Sequence, residues 1–311
     1  KADVVVENFT VGVAARLGVD FETLRKRNSK LVYASLTGYG QTGPDAHLKC
    51  FDPAAQAASG LMSITGYPDG PPTKAGSALA DSITSVFAFS GILAALFHAE
   101  RTGEGQHVDV AMVDSVFSLI YDEPMECYPA LGMPAQQGNR IPRLSPFNSY
   151  QSKDGWLIIG AASDAHWRLI CDVIGKPELA NDPKFATPGA RLSINDRVDG
   201  LISAWTKAQS TANAVAALRA VGIVCSPIND IDAIKKSPQF KARKMIEDVV
   251  HPTLGVVPGV GAAAFPLKFS GTETGYKSAA ALPGTHNEDV YGSLLDLDAA
   301  EIVRLCEDGI I

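Results

Sequence analysis

The stretch 75–104, AGSALADSITSVFAFSGILAALFHAERTGE, constrains the fold more than any other part of this chain. Its apolar residues Ile83, Val86, Phe87, Phe89, Ile92, Leu93, Leu96 and Phe97 recur at helical spacing, which predicts a long helix that must pack an apolar side against something else. One carboxylate, Asp81, stands at the mouth of that helix, where an N-cap is expected to accept hydrogen bonds from the unpaired first-turn amides. Helix-end amides and the macrodipole also keep a carboxylate ionised in apolar surroundings, and nucleophilic catalysis by Asp needs such a group. The segment alone leaves both readings open.

Composition narrows the class. With 311 residues, 46% hydrophobic and 20% charged, the chain can bury a large core and is expected to form two domains. The longest apolar run, 86–97, contains Ser90 and Gly91 and falls short of the ~20 residues that cross a bilayer, so no membrane span is expected. The opening KADVVVENF reads as a strand entering a loop, not as a signal peptide. A net charge of −7 argues against nucleic acid as the main partner, and an anionic ligand would need local Lys and Arg. The cysteines (Cys50, Cys127, Cys171, Cys225 and Cys306) are scattered with no C-x-x-C pair, the pattern of reduced core thiols in a cytoplasmic protein. The histidines make no i, i+4 pair, and no metal site is expected.

The first part of the chain alternates strand and helix. Runs 3–6 and 31–36 are β-rich, with helical patterns at 13–17 and 21–28 between them, which is a βαβ unit. Parallel strands would put the loops ENFT (7–10) and TGYGQTGP (37–44) at the carboxyl edge of the sheet, where open α/β sheets bind ligands. A short helix near 52–59, a turn at 66–72, the Asp81 helix, a strand at 106–112 and a helix at 115–121 complete a large domain over 1–121. Periodicity is lost over 122–146, the expected linker. A smaller α+β domain is expected over 147–270, with a strand at 156–160, helices at 164–174, 190–207 and 211–221, and strands near 247–251 and 259–266. A tail over 271–311 ends in a helix at 295–306. The large domain reads as though it starts part-way through a doubly wound sheet.

The runs ADVVVENFTVGVAARLGVD, LVYASLTGYGQTGP, GLMSITGYPDGPPTKAGSALADSITSVFAFSGILAALFHAERTGEGQHVDVAMVDSV and LPGTHNEDV, in this order, resemble the family III CoA-transferases, the formyl-CoA:oxalate and carnitine CoA-transferase group. The resemblance spans nearly the whole chain and lacks the family's first roughly 80–90 residues, which carry the opening strands of the sheet. It implies a Rossmann-like large domain, here N-terminally incomplete, a smaller α+β domain, a C-terminal segment returning to the large domain, and two subunits interlocked as rings. It also implies transfer of CoA from an acyl-CoA donor to a free carboxylic acid, without metal or ATP. The family's A-L-x-D motif falls on Ala78 to Asp81 and makes Asp81 the catalytic nucleophile. Asp109, Asp114 and Asp122 do not match that position and read as strand-edge and capping carboxylates.

Contacts to CoA carry over to Asn8 and Phe9, to Arg16 and Leu17, to Gly38 and Tyr39 where the pantetheine arm passes close to the backbone, and to Lys49 near the phosphates. The glycine-run loop of the oxalate enzyme has no counterpart here. The α-methylacyl-CoA racemases share this architecture and pair the same Asp with a His in a G-H-D motif. The corresponding run here is Lys49, Cys50, Phe51 and Asp52, and phenylalanine exchanges no proton; neither His47 nor His166 matches that position. A third reading is an inactive truncated fragment. Acceptor choice would lie in the loops 122–150 and 160–166, where Arg140 and Arg143 are candidates for a second carboxylate of a dicarboxylic acid.

Overall fold

Valine-rich runs place the first strands. In the computed structural model, which describes residues 2–121, 127–276 and 280–311, β1 (Val4–Glu7) and β2 (Val32–Thr37) lie parallel with Val4 beside Val32. The one-turn helices α1 (Val13–Arg16) and α2 (Phe21–Leu24) connect them, so the predicted βαβ unit forms with a shorter second helix than the 21–28 pattern suggests. Next come α3 (Asp52–Ala58), α4 (Leu61–Ile64) and the long α5 (Leu79–Thr102), then β3 (His107–Ala111), parallel to β2 on its other side. The sheet order is β1-β2-β3. Helix α6 (Met112–Ile120) follows β3 with no loop, three residues ahead of the predicted start.

Helix α5 buries the opposite kind of residue from the one its pattern advertises. Ala80, Thr84, Ala88, Ala95 and Ala99 form its buried side, with Ala95 and Ala99 packed on Val32. Gly91 faces β3 so closely that a Cβ there would lie 2.9 Å from Cγ1 of Val108. Small residues let the helix axis approach the sheet, and the large residues Val86, Phe89, Leu93 and Phe97 stay exposed. With 24 residues and a mean hydropathy of 1.7 over its most apolar window, 22% of it buried, α5 is long and apolar enough to cross a membrane by length and composition. The expectation that no stretch reaches that length is corrected: Ser90 and Gly91 interrupt the apolar run without ending the helix.

A second, antiparallel sheet follows, built from β4 (Phe147–Gln151), β5 (Trp156–Gly160) and, after the helices, β6 (Val224–Pro227), in the order β4-β5-β6. Helices α7 (Asp164–Val173), α8 (Pro188–Ser193), α9 (Asn195–Thr206) and α10 (Thr211–Ala220) accompany this sheet. The predicted single helix over 190–207 is two, broken at Ile194, whose φ of −128° leaves the helical region. The core here is large-residue packing: Leu157, Ile159, Trp167, Ile170, Phe185 and Ile202 are all fully buried, and Trp167 stacks on Phe185 at 5.6 Å. The buried Arg191 guanidinium donates to the carbonyls of Ser145 and Phe185 and to Asp164.

Both sheets belong to one compact unit, Lys1–Pro227, and Ile228–Ile311 forms another. That boundary falls inside the 147–270 segment expected as a small domain. The second unit holds α11 (Ile231–Lys236), α12 (Pro238–Ala242), the hairpin of β7 (Ile246–His251) and β8 (Gly255–Ala263), α13 (Ser293–Leu295) and α14 (Ala299–Glu307). All five cysteines are free; Cys171 and Cys225 are core residues as expected, whereas Cys127 and Cys306 are exposed, which corrects their reading as core thiols.

Candidate active site

The ends of three parallel strands and the start of α5 border one cleft of about 340 Å³. Asn8 and Phe9 line it just beyond β1, Thr37 and Gly38 at the end of β2, Met112 just after β3, and Lys49, Cys50, Phe51 and Asp81 complete its wall. This is the carboxyl edge of the parallel sheet, where strand ends leave backbone groups and loops free to meet a ligand.

Asp81 is the third residue of α5, and the N-cap is Ala78, which makes no side-chain capping bond. The expectation that Asp81 caps the helix is therefore corrected. The capping carboxylate comes from the neighbouring helix: Oδ1 of buried Asp52 accepts the amide of Ala80 at 2.8 Å, and its Oδ2 accepts Nε2 of Gln56 at 2.8 Å. Gln56 in turn accepts the amide of Ala75 at 2.8 Å. Sequence reasoning missed this pair, although Asp52 and Gln56 stand at i, i+4 and share a helix face. Asp81 itself is exposed at the cleft, and its carboxylate takes no hydrogen bond among the described residues.

Cys50 sits beside this carboxylate. Burial first, and then the charges of Asp81 and Asp52, push its thiol above the ordinary value, which keeps it protonated and a weak nucleophile. Gly38 is required by the same residue, because a Cβ at position 38 would fall 2.1 Å from the Cβ of Cys50. The Gly38 carbonyl also accepts the amide of Val113 at 3.1 Å and ties the β2 loop to α6. Further along that loop the Asp109 carboxylate accepts the amide of Gln41 at 3.0 Å, a structural role for a strand-edge carboxylate. Asp114 lies exposed in the first turn of α6, whose N-cap is Ala111. Asp122 lies outside the described residues.

Of the residues singled out from the sequence, Asn8, Phe9, Gly38, Lys49 and Asp81 meet at the cleft. Arg16 and Leu17, at the end of α1, and Tyr39 are not part of its wall, and Leu17 is 62% exposed. Neither His47 nor His166 lines it, and Phe51, 82% exposed, is part of its wall. Arg140, marked as a candidate for an acceptor carboxylate, is already paired with two carboxylates of the chain. Its guanidinium donates to Asp199 at 2.9 and 2.6 Å and to Asp196 at 2.7 Å, within the second sheet's surroundings.

Comparison with known proteins places this arrangement. A family model described as CoA-transferase family III matches residues 1–287. The chain is 39% identical over 297 residues to the acetyl-CoA:oxalate CoA-transferase of Acetobacter aceti, covering 95% of this chain and 73% of that protein. It is 37% identical over 293 residues to the succinate–glutarate CoA-transferase of Agrobacterium fabrum, covering 94% and 72%. The crystal structure of a CaiB/BaiF family protein from Brucella suis has the same mixed α/β fold, with a TM-score of 0.81 at 33% identity over 94% of this chain and 75% of that one. On the match over residues 1–287 and these identities, the chain belongs to CoA-transferase family III and is a CoA-transferase.

Proposed function

We propose that the protein moves CoA from an acyl-CoA thioester to a free carboxylic acid with Asp81 as the covalent nucleophile. The observation that carries this reading is the exposed Asp81 carboxylate, without a hydrogen bond among the described residues and held at the start of α5 in a cleft shared with Asn8, Phe9, Gly38 and Lys49. A carboxylate with no internal hydrogen bond keeps its lone pairs for the substrate carbonyl. Asp81 attacks the thioester carbonyl and expels CoA thiolate, leaving a mixed anhydride. The thiolate then attacks the aspartyl carbonyl, releasing the donor acid and leaving an aspartyl-CoA thioester. The acceptor carboxylate attacks that thioester to give a second anhydride and free thiolate. Attack of the thiolate on the acceptor acyl carbon forms the new acyl-CoA and restores Asp81.

Lys49 supplies a cation for an anionic ligand at the cleft, and Asn8 and Phe9 supply an amide and an aromatic surface beside it. Arg16, Leu17 and Tyr39 stay in the proposed CoA path as flanking contacts. The parallel β1-β2-β3 sheet with its ligand edge at the strand ends supports a Rossmann-like description of the large domain. The exposed apolar side of α5 (Val86, Phe89, Leu93 and Phe97) supports a homodimer in which a second copy covers it. In that arrangement Phe89→Glu converts the dimer to monomer in light scattering, and an unchanged mass rejects α5 as the interface. A cytoplasmic location belongs to the same reading.

Mass spectrometry of the enzyme mixed with an acyl-CoA panel and a carboxylic acid panel tests the mechanism. A CoA adduct on Asp81 and new acyl-CoA products are expected, and full turnover by Asp81→Asn would overturn the nucleophile assignment.

A further inference from the structure

We infer that Asp52 is a positioning residue for Asp81, acting through the first turn of α5 and never through substrate; the inference rests on the nucleophile reading above. Asp52 is 7% exposed and Gln56 fully buried, so neither meets a ligand directly, yet together they hold the segment that delivers Asp81. Asp52 takes the Ala80 amide, Gln56 takes the Ala75 amide, and Nε2 of Gln56 also points at the Ser77 carbonyl at 3.4 Å. One face of α3 thus holds three points in the residues leading into Asp81.

The consequence is chemical as well as geometric. In a capping box the side chain at the third helical position folds back onto the N-cap amide, here that of Ala78. Here the Asp81 carboxylate takes no hydrogen bond among the described residues and lines the cleft, while the Ala80 amide is held by Asp52 and the Leu79 amide by the Ser77 carbonyl at 2.9 Å. Ala55 and Ala80, both fully buried, pack the two helices together beside these hydrogen bonds. Asp81 thus follows directly on a turn fixed from α3 and lines the cleft. A nucleophile fixed in one geometry reacts faster than one that must be ordered at each turnover.

The hydrogen-bond polarity of the relay gives the test. In Asp52→Asn the new amide cannot face both the Ala80 amide and Nε2 of Gln56 without opposing two donors. Flipping Gln56 only moves the clash to the Ala75 amide. Adding Gln56→Glu restores the two short bonds at the loss of the 3.4 Å contact to the Ser77 carbonyl: the introduced amide on α3 accepts from Ala80 and donates to the introduced carboxylate one turn later, which accepts from Ala75. In the intact enzyme, kcat of Asp52→Asn is expected to fall at least about tenfold with KM for acyl-CoA within about twofold. The double variant D52N/Q56E is expected to recover kcat to within about threefold of wild type. Wild-type kcat in Asp52→Asn, or an equal loss in the folded double variant, would overturn the inference. Should the single variant not fold, the double variant carries the test alone by the same threshold. Asp81→Asn, run alongside, separates the two levels: activity there overturns the nucleophile reading itself, whereas inactive Asp81→Asn beside fully active Asp52→Asn overturns the positioning role only.

Discussion

The two sheets of the first unit are stabilised in different ways. Around β4-β5-β6 the core is made of Trp167, Phe185, Leu157, Ile159 and their neighbours, packed large against large. Around β1-β2-β3 the buried clusters are small, Val32 with Ala95 and Ala99, and Ala55 with Ala80 and Val116, while the large side chains of α5 face outward. The cleft in which the transfer is proposed lies with the thinly packed sheet. The difference teaches that the large-residue packing lies away from the cleft, whereas beside the cleft small buried residues are joined by polar contacts such as those of Asp52 and Gln56. Because Trp156, Trp167 and Trp205 are the chain's three tryptophans, fluorescence reads the second sheet's surroundings, and under the proposed function activity reads the first.

The largest expected effect falls on the cleft side. Asp81→Asn should leave the tryptophan melt unchanged and reduce transfer by roughly 10³-fold or more, as loss of a covalent nucleophile does. A coincident loss of melting temperature would break the separation between the two regions.

On the other side, Asp199→Ala should destabilise by about 3 kcal/mol or more, seen as a lowered tryptophan melt. Asp199 accepts bonds from Arg140, Asn148 and Tyr150, and its removal leaves those donors in a mostly buried site without their acceptor. At a temperature where the variant is folded, turnover should stay near wild type.

Tyr150→Phe sharpens the same point through pH. Burial, then the charge of Asp199 and the hydrogen bond to it, push the Tyr150 phenol well above its ordinary value of 10.0. The folded state therefore holds this proton more tightly than the unfolded one, so the contribution is intact below pH 10.0 and is lost as pH rises through the raised value. Near neutral pH the substitution should cost about 1–2 kcal/mol, and the alkaline fall in stability should become shallower. An identical alkaline slope in both proteins would reject the assignment to Tyr150.

The smallest effect concerns stability at Asp81. Since Asp52 provides the cap, Asp81→Ala should change stability by no more than about 0.5 kcal/mol, against the loss of about 1 kcal/mol expected of a true N-cap.

Much of this was legible in the sequence because it is local. The βαβ opening, the start of the apolar helix, the β5 strand and the α7 and α10 helices follow from periodicity within a dozen residues. Strands β4 and β6 were not, since FNSYQ and VCSP carry no alternating pattern and become strands only by pairing with β5. Arg140 reads in isolation as a free basic residue in a linker, and its partners Asp196 and Asp199 lie more than fifty residues away, 56 and 59 positions along the chain.

The sequence by itself determined the family motifs, the long apolar helix and the placement of Asp81 near that helix's start. Which side of α5 is buried, which carboxylate caps it, and which of the marked residues share a cleft were decided by tertiary structure. The physical reason is separation: Asp52 stands 28 residues from the amide it caps, and only the packing of α3 on α5 through Ala55 and Ala80 brings the two within hydrogen-bonding distance.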